Sequence, residues 1–242
     1  MDTAMSVTSS GFRRDNWAAA AMRACVSVSG VVMLGCYSGC VTRRNPLKPK
    51  RKTLPRVWLL SDARNDAAIS ESLRRLPRGS GFVFRHYHLE SEERRRRFNA
   101  LRRVARARGH VVALSGDAAL AGAWGADAVY GPPAAMRHAR GLLRLATVHS
   151  LRELGMARRA GADMVFVSPV FATRSHPGGA TLGPARAMLL ARRAAMPVAF
   201  LGGMTAARAG RLAPHGWAAI DGLSGRAAGQ VLHIRRKAAP LS

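Results

Sequence analysis

Short apolar runs alternate along the chain with longer stretches rich in arginine and alanine, beginning at Pro55. Runs of this length suit strands buried in a sheet, and the stretches between them have the composition of helices. Regular alternation of the two is typical of parallel strands joined by right-handed crossovers. The predicted strands are Val57–Leu60, Phe82–Phe84, Val111–Leu114, Ala128–Tyr130, Leu145–Val148, Met164–Val167, Val198–Leu201 and Ala219–Leu223.

Helices are predicted between the strands, and two of them have recognisable N-terminal caps. Ser91 is the expected N-cap of one helix, with Glu92 and Glu93 in its opening turn. Ser150 is the expected N-cap of the helix after the fifth strand. The helical stretches are Ser91–Arg108, Leu151–Ala160, Ala185–Ala194 and Thr205–Leu212.

Eight strands in about 170 residues predict a small α/β fold, a (β/α)8 TIM-type barrel over residues 55–227. A doubly wound open sheet is the alternative, although no G-x-G-x-x-G follows the first strand to indicate dinucleotide binding. The same three residues, Gly-Ala-Asp, precede two of the strands, at Gly125–Asp127 and Gly161–Asp163. Since glycine ends a helix there and the strand begins just after it, we expect structural roles for Asp127 and Asp163.

Residues 1–54 differ in composition from the barrel region, and we predict that they form a disordered N-terminal extension. The apolar part of this segment is interrupted by Arg23, serines and glycines, and it falls short of the ~20 apolar residues of a membrane span. We therefore favour an extension over a secretory signal or a stable membrane anchor. A basic tail is predicted at residues 228–242, and the protein is expected to be cytoplasmic.

The formal net charge is +26, from 39 Lys+Arg against 13 Asp+Glu. Such an excess suggests polyanionic or phosphorylated partners. No helix-turn-helix, zinc-finger or RNA-binding signature is readable, so a phosphate-ligand enzyme is favoured over specific nucleic-acid binding. The three cysteines, Cys25, Cys36 and Cys40, all precede the predicted barrel, which therefore has no disulfide framework and no thiol nucleophile.

Glycine-rich loops follow the last three predicted strands, on the face where a barrel of this kind binds its ligands. Gly202 and Gly203 follow the seventh strand, and the eighth strand ends in Gly222–Gly225. Paired glycines let the backbone approach an anion, so these loops are candidate phosphate sites, although turns without a ligand remain the alternative. The loop Ser168–Gly179 exceeds the roughly 2–6 residues usual for such a connection, which indicates function.

Three charged or titratable residues follow other predicted strands. His149 is either an acid/base group at the ligand-binding face or an ordinary residue at the start of a helix. Arg85 is either a bidentate ligand for a phosphate or one of many surface arginines. Asp117 is the only carboxylate directly after the third strand and is the natural magnesium candidate. The residues alone leave the alternatives for His149 and Arg85 open.

Three segments occur in a characteristic order: ATVHSLRELGMARRAGADMVFVSPVFATRSHPGG, then VAFLGGMT, then DGLSG. Their order and content resemble the thiamine-phosphate synthase/TenI family, specifically over residues 146–225 and more loosely over 55–131. The resemblance implies a (β/α)8 barrel. Synthases of the family join a hydroxymethylpyrimidine diphosphate to a thiazole phosphate and release pyrophosphate with magnesium assistance. Members of the TenI branch aromatise a thiazole phosphate tautomer.

The resemblance also implies roles for individual positions. Arg85 matches an arginine that grips the diphosphate, and His149 matches a histidine that acts as general acid/base in the TenI branch. The expected partners are phosphorylated thiazole and pyrimidine diphosphate small molecules, and the chain could form a homo-oligomer. The residues implied to bind the substrate or its phosphate are Thr147, Thr173, Ser175, His176, Gly202, Gly203 and Ser224.

The chain departs from the family's pattern at the ends of the second, third and fourth strands. His86, Tyr87 and His88 stand where the family has a basic partner for the diphosphate-binding arginine. Gly131–Ala134 stand where it has a second metal carboxylate. Asp117 is therefore the single magnesium ligand that the resemblance implies.

Three hypotheses follow from this comparison. The leading one is a thiamine-phosphate synthase-like transferase that uses Arg85 and Asp117–Mg²⁺ on the diphosphate. The second is a thiazole tautomerase that uses His149 and needs no metal. The third is a non-catalytic relative that retains only the phosphate-binding loops.

Overall fold

Eight parallel strands close into a barrel in a computed structural model that describes residues 54–136, 138–175, 177–225 and 227–228. The predicted extension up to residue 53, the predicted tail from residue 229 and the candidate residue His176 lie outside the described residues. The strands neighbour each other in sequence order, and β1 pairs with β8 to complete the ring. This arrangement confirms the predicted (β/α)8 barrel and rules out the doubly wound sheet.

The strands of the barrel are short, as the apolar runs predicted. All except β5 are buried over nearly their whole length, which explains why their sequences read as continuous apolar segments. They are β1 (Val57–Leu60), β2 (Gly81–Phe84), β3 (Val111–Ser115), β4 (Ala128–Gly131), β5 (Leu143–Val148), β6 (Met164–Val167), β7 (Val198–Phe200) and β8 (Gly216–Ala219).

Helices cover the outside of the barrel, and some connections are reduced to single turns. A 3₁₀ turn, Pro133–Met136, replaces a helix after β4, which helps to explain the small size of the barrel. No helix in the described part of the chain is both long enough and apolar enough to cross a membrane. The helices are α1 (Asp66–Arg75), α2 (Ser91–Ala107), α3 (Ala118–Ala123), α4 (Leu151–Arg159), α5 (Gly183–Arg193) and α6 (Ala206–Arg211).

The prediction for the last strand was wrong by several residues. Ala219–Leu223 was expected, whereas β8 is Gly216–Ala219 and a 3₁₀ turn at Asp221–Leu223 follows it. Ile220 and Leu223 are buried although they lie beyond the strand. A buried loop residue produces the same apolar signal as a strand residue, and this moved the prediction towards the carboxyl end.

One of the two predicted caps is confirmed. The Ser150 hydroxyl accepts a hydrogen bond from the Glu153 amide at 3.2 Å and caps α4. Ser91, in contrast, is the first residue of α2, and Glu90 takes the cap position without a side-chain hydrogen bond. The Glu90 carbonyl accepts the first hydrogen bond of the helix, from the Arg94 amide at 2.7 Å.

The two repeated turns have the structural role that their sequences predicted. Gly125 and Gly161 have φ values of +66° and +68°, the left-handed conformation that glycine adopts without strain. Asp127 accepts a hydrogen bond from the Val112 amide at 2.9 Å. Asp163 accepts one from the Arg144 amide, also at 2.9 Å. Each carboxylate therefore ties the start of one strand to the start of its neighbour.

Alternate residues on the strands point into the barrel and form an interior cluster beneath its carboxyl-end face. Trp58 and Phe166 pack edge to face with ring centroids 5.5 Å apart. Tyr130 packs against Phe166 in the same way at 5.1 Å. These rings make a rigid floor for anything that binds above them.

We predict that Gly81→Ala destabilises the protein by about 1–3 kcal/mol, because it overpacks this floor. A Cβ at Gly81 would lie 2.1 Å from Cε3 of Trp58, whose ring is fully buried and cannot move aside. Urea denaturation measures the free energy of unfolding. Gly122→Ala in α3 is the matched control, since a Cβ there meets no atom within 4 Å. Equal stability of Gly81→Ala and the wild type would contradict the packing argument.

Candidate active site

A cavity of about 490 Å³ opens at the carboxyl ends of the strands. Its volume lies within the roughly 300–1,000 Å³ that is typical of sites for small molecules. Residues at the carboxyl ends of β2 to β8, or in the loops that follow them, contribute to its wall. Most residues predicted as functional line it, namely Arg85, Thr147, His149, Thr173, Ser175, Gly202 and Gly203.

The loop after β6 lies directly against the loop after β7. The Phe171 amide donates to the Gly202 carbonyl at 3.1 Å, and the Val170 amide donates to the Leu201 carbonyl at 2.9 Å. Thr173 accepts from the Ser175 amide at 3.3 Å, which folds the β6 loop into a local turn. The hydroxyls and the glycine backbone therefore form one continuous polar wall of the cavity.

Gly202 and Gly203 are required by this close packing, whatever ligand the loop binds. Both have positive φ values, +94° and +59°. A Cβ on Gly202 would lie 2.7 Å from Cα of Pro169, and one on Gly203 would lie 2.4 Å from the Ala172 carbonyl oxygen. The glycines let the two loops touch, and this contact brings Thr173 and Ser175 to the cavity.

The loop after β1 reaches two of the hydroxyls that were predicted to bind phosphate. Arg64 donates from Nη2 to the Ser175 hydroxyl at 2.8 Å. Asn65 donates from Nδ2 to the Ser224 hydroxyl at 3.3 Å. Ser224 in turn donates to the Ile220 carbonyl at 2.6 Å, so it lies just behind the cavity lining rather than in it. Sequence reasoning missed these two contacts, and the position of Arg64 and Asn65 just after β1 was their only signal.

His149 lies on the cavity wall with its ring orientation fixed. Its Nδ1 lies 2.6 Å from the Ser168 carbonyl oxygen. A carbonyl can only accept, so Nδ1 carries the proton and Nε2 is the basic nitrogen of the neutral ring. The His149 amide also donates to the Glu153 carboxylate at 2.6 Å. Ser150 serves as the helix cap, which leaves the His149 side chain available to the cavity.

On another part of the cavity wall, Arg85 lies beside Tyr87 and Arg94. The Arg85 guanidinium carbon is 5.6 Å from the centroid of the Tyr87 ring, and the Tyr87 hydroxyl is hydrogen-bonded to the Ser115 hydroxyl. Arg94 donates to the carbonyls of Arg85 at 3.0 Å and Ser115 at 2.8 Å. These contacts hold the ends of β2 and β3 together. The guanidinium groups of Arg85 and Arg94 make this side of the cavity positively charged.

His86, beside Arg85, is buried in a hydrogen-bonded chain that the sequence did not reveal. Its Nε2 lies 2.6 Å from the Asp66 carboxylate, and its Nδ1 lies 2.7 Å from the Ser61 hydroxyl. Because a carboxylate accepts from Nε2–H, Nδ1 of the neutral ring accepts from Ser61, whose oxygen accepts from the Arg85 amide at 2.7 Å. The chain fixes the backbone from which the Arg85 side chain extends.

The surroundings of these hydrogen-bonded groups favour a neutral His86 and an ionised Asp66. Burial lowers the pKa of His86 and outweighs the opposing effect of the Asp66 carboxylate. Burial also opposes ionisation of Asp66, but hydrogen bonds from His86 and Arg97 and the Arg97 charge hold the pKa of its carboxyl below the ordinary value. Arg97 binds Asp66 through Nη2 at 2.7 Å.

Asp117, the predicted magnesium ligand, directly follows β3 but does not line the cavity. Its carboxylate accepts from the Leu120 amide at 2.7 Å and caps α3. Among the described residues, no group of three or more His, Cys, Asp or Glu side chains is arranged to hold a metal ion. The described side chains therefore do not fit a metal centre built from protein ligands, and magnesium binding by Asp117 stays a prediction.

The family model described as thiamine monophosphate synthase matches residues 60–225 of this sequence. The chain belongs to that family. The match confirms the resemblance inferred from the segments ATVHS to DGLSG, and it spans the barrel from β1 to the turn after β8. No curated protein matches the sequence significantly.

Solved structures are similar to this family member in fold. A thiamine phosphate pyrophosphorylase from Pyrococcus furiosus is 21% identical with a TM-score of 0.64, over 76% of this chain and 96% of that one. FabK from Thermotoga maritima is 15% identical with a TM-score of 0.57, over 70% and 59%. The 3-keto-L-gulonate-6-phosphate decarboxylase from Vibrio cholerae is 14% identical with a TM-score of 0.54, over 76% and 97%. At these identities the likeness supports the barrel fold alone.

We predict that stability falls as the pH drops below about 6.5, the ordinary histidine pKa. The folded-state pKa of His86 lies below that value, so the unfolded chain takes up a proton first and gains stability relative to the fold. His86→Asn should show a smaller loss between pH 7 and pH 5, since asparagine tolerates the backbone φ of +37° without titrating.

Thermal melts at several pH values measure this difference. Burial also lowers the pKa of His110 and of His215, so some pH dependence should remain in the variant. Identical pH slopes for His86→Asn and the wild type would show that the His86 chain does not contribute.

Proposed function

We propose that this chain is a thiamine-phosphate synthase-like transferase, which joins hydroxymethylpyrimidine diphosphate to thiazole phosphate and releases pyrophosphate. One observation carries the proposal: the cavity has groups suited to anions on two opposite sides. Arg85 follows β2, whereas Thr173 and Ser175 follow β6. In a closed ring of eight strands, β2 and β6 are four positions apart and face each other across the mouth.

The middle of the cavity suits two flat rings. Leu201 and Ile220 line it, together with Tyr130 of the aromatic floor. Burial raises the pKa of the Tyr130 phenol, which therefore stays neutral and can donate a hydrogen bond. A pyrimidine with its diphosphate towards Arg85 and a thiazole with its phosphate towards Ser175 would bring their rings together at the centre.

The proposed reaction needs one bond to break and one to form. The C–O bond between the pyrimidine methylene carbon and the diphosphate breaks, and its electron pair leaves with pyrophosphate. The lone pair of the thiazole nitrogen forms the new C–N bond. Arg85 stabilises the charge that develops on the leaving group, because bidentate guanidinium–phosphate bonds are strong in a partly enclosed site.

The test is to incubate the full-length protein with both precursors and magnesium and to measure thiamine phosphate and pyrophosphate. We expect equal amounts of the two products. Arg85→Ala should lower kcat/KM about 100-fold or more, as expected for loss of a group that stabilises transition-state charge. Arg95→Ala, on the exposed surface of α2, is the control and should leave the rate unchanged. Absence of thiamine phosphate above the level of heat-denatured protein would refute the transferase.

A second candidate function, aromatisation of a thiazole phosphate tautomer, is favoured by the geometry of His149. Its Nδ1–H is fixed on the Ser168 carbonyl, which presents Nε2 as a base at the cavity wall. Such an isomerisation removes a proton from one ring carbon and returns it to another position, so it needs no co-reactant. General acid–base catalysis by a positioned histidine is worth about 10²–10⁴ in rate.

Supplying the thiazole tautomer alone separates the two functions. If the chain is a tautomerase, His149→Ala should lose about 100-fold or more of the isomerisation rate, whereas Arg85→Ala should retain it because no diphosphate is involved. The conversion can be followed by the ultraviolet absorbance of the aromatic product. An unchanged rate in His149→Ala would remove the proposed proton transfer.

A further inference from the structure

Three loops of the barrel mouth meet at one side chain, Arg64. It donates from Nε to Asp62 at 3.0 Å and from Nη2 to the Ser175 hydroxyl at 2.8 Å. Its Nη1 lies 3.6 Å from Asp221, which is an ion pair but too long for a hydrogen bond. Arg64 follows β1, Ser175 follows β6 and Asp221 follows β8, so a single guanidinium joins loops that are remote in sequence.

The two carboxylates beside Arg64 create an electrostatic problem for a phosphate ligand. Asp221 lines the same cavity as Ser175 and Thr173. Burial opposes ionisation of Asp62, but hydrogen bonds from Arg64 and its charge lower the pKa of that carboxyl, which stays ionised. Without a cation, these acidic groups would repel a phosphate dianion from the hydroxyls that are proposed to hold it.

The Arg64 guanidinium also has N–H groups that could bind a phosphate. A guanidinium has five N–H groups in a planar fork that matches phosphate oxygens. Among the described residues, only its Nε and Nη2 make side-chain hydrogen bonds. Its side chain is 30% exposed and can therefore move towards the cavity while it stays beside Asp62.

We infer that Arg64 determines specificity for a phosphorylated acceptor. In the ligand-free site it neutralises Asp62 and Asp221, and when a phosphate monoester binds at Ser175 and Thr173 its Nη1 shifts from Asp221 to the phosphate while its Nε stays on Asp62. The inference rests on the proposed function, since it places the phosphate of the thiazole substrate at the β6 loop. A phosphate dianion competes well for the guanidinium because its present contact with Asp221 is long and partly solvated. An unphosphorylated thiazole alcohol gains nothing from Arg64.

Isothermal titration of the full-length protein tests the role of Arg64 with three probes: thiazole phosphate, the unphosphorylated hydroxyethylthiazole and inorganic phosphate. Arg64→Ala should weaken binding of both phosphate-bearing probes by about tenfold or more. Affinity for the alcohol should stay within about twofold. Arg64→Lys, which keeps the charge but loses the fork, should fall between the wild type and Arg64→Ala. Arg75→Ala is the control, since Arg75 pairs with Glu71 on the same helix at 2.5 Å.

A double variant provides a readout that a merely structural role would not change. If Arg64 neutralises Asp221, then Asp221→Asn in the Arg64→Ala background should recover part of the lost phosphate affinity. If Arg64 only holds the loops together, the second substitution should recover nothing, and affinity for the alcohol should fall with that for the phosphate. Absence of recovery in the double variant, or an equal loss of affinity for the alcohol, would overturn the inference. Phosphate binding by Arg64→Ala within about twofold of wild type would overturn it as well.

The outcomes also separate this inference from the proposed function. If thiamine phosphate is formed but Arg64→Ala binds thiazole phosphate normally, the transferase stands and the role of Arg64 fails. If inorganic phosphate binds in an Arg64-dependent manner but no thiamine phosphate is formed, the anion site stands and the transferase fails. Binding of no phosphate-bearing probe to the wild type would overturn both.

Discussion

The pairing of β8 with β1 is the constraint on which the candidate site depends. Trp58 pairs with Ala218 and Leu59 with Ala219, and these contacts close eight parallel strands into a ring. Because the strands are parallel, all their carboxyl ends lie on one side, and closure arranges these ends around a single mouth where loops from distant parts of the sequence meet. It also places Arg85 across the mouth from the β6 loop. A sheet left open between β1 and β8 would keep each loop but lose that opposition.

The wall of the cavity is supported by contacts that do not themselves touch a ligand. The chain from Arg85 through Ser61 and His86 to Asp66 fixes one side. On the other side, the glycines after β7 let that loop lie against the β6 loop. The first support uses buried polar groups, which are stable only when all their hydrogen bonds are made. The second uses left-handed backbone positions that glycine adopts without strain. The sides are thus preorganised separately, as a site for two anionic substrates would require.

Much of the fold could be predicted because its signals are local. The apolar runs located β1 to β7 to within a residue or two, and the repeated turns before β4 and β6 were assigned their structural role correctly. The end of the barrel was misplaced because Ile220 and Leu223 are buried outside a strand. Helix caps were predictable only where, as at Ser150, the side chain itself makes the capping bond.

The candidate site was predictable where a residue directly follows a strand, as for Arg85 and His149. It was not predictable where function would depend on partners far away in the sequence. Arg64 and Ser175 are 111 positions apart, and no local pattern marks their contact. The buried state of His86 was hidden for the same reason, since Asp66 and Ser61 precede it by a whole helix. Asp117 was singled out by position, but its carboxylate is already engaged as a helix cap.

The central claim is that one cavity binds two phosphorylated molecules at once, on opposite sides of the barrel mouth. Titration of pyrophosphate into the full-length protein already saturated with thiazole phosphate tests it most directly. We expect one pyrophosphate to bind per chain while thiazole phosphate stays bound. The affinity of pyrophosphate for the saturated protein should be similar to its affinity for the ligand-free protein. If pyrophosphate binds only as it displaces thiazole phosphate, the two anions share one site and the claim is contradicted.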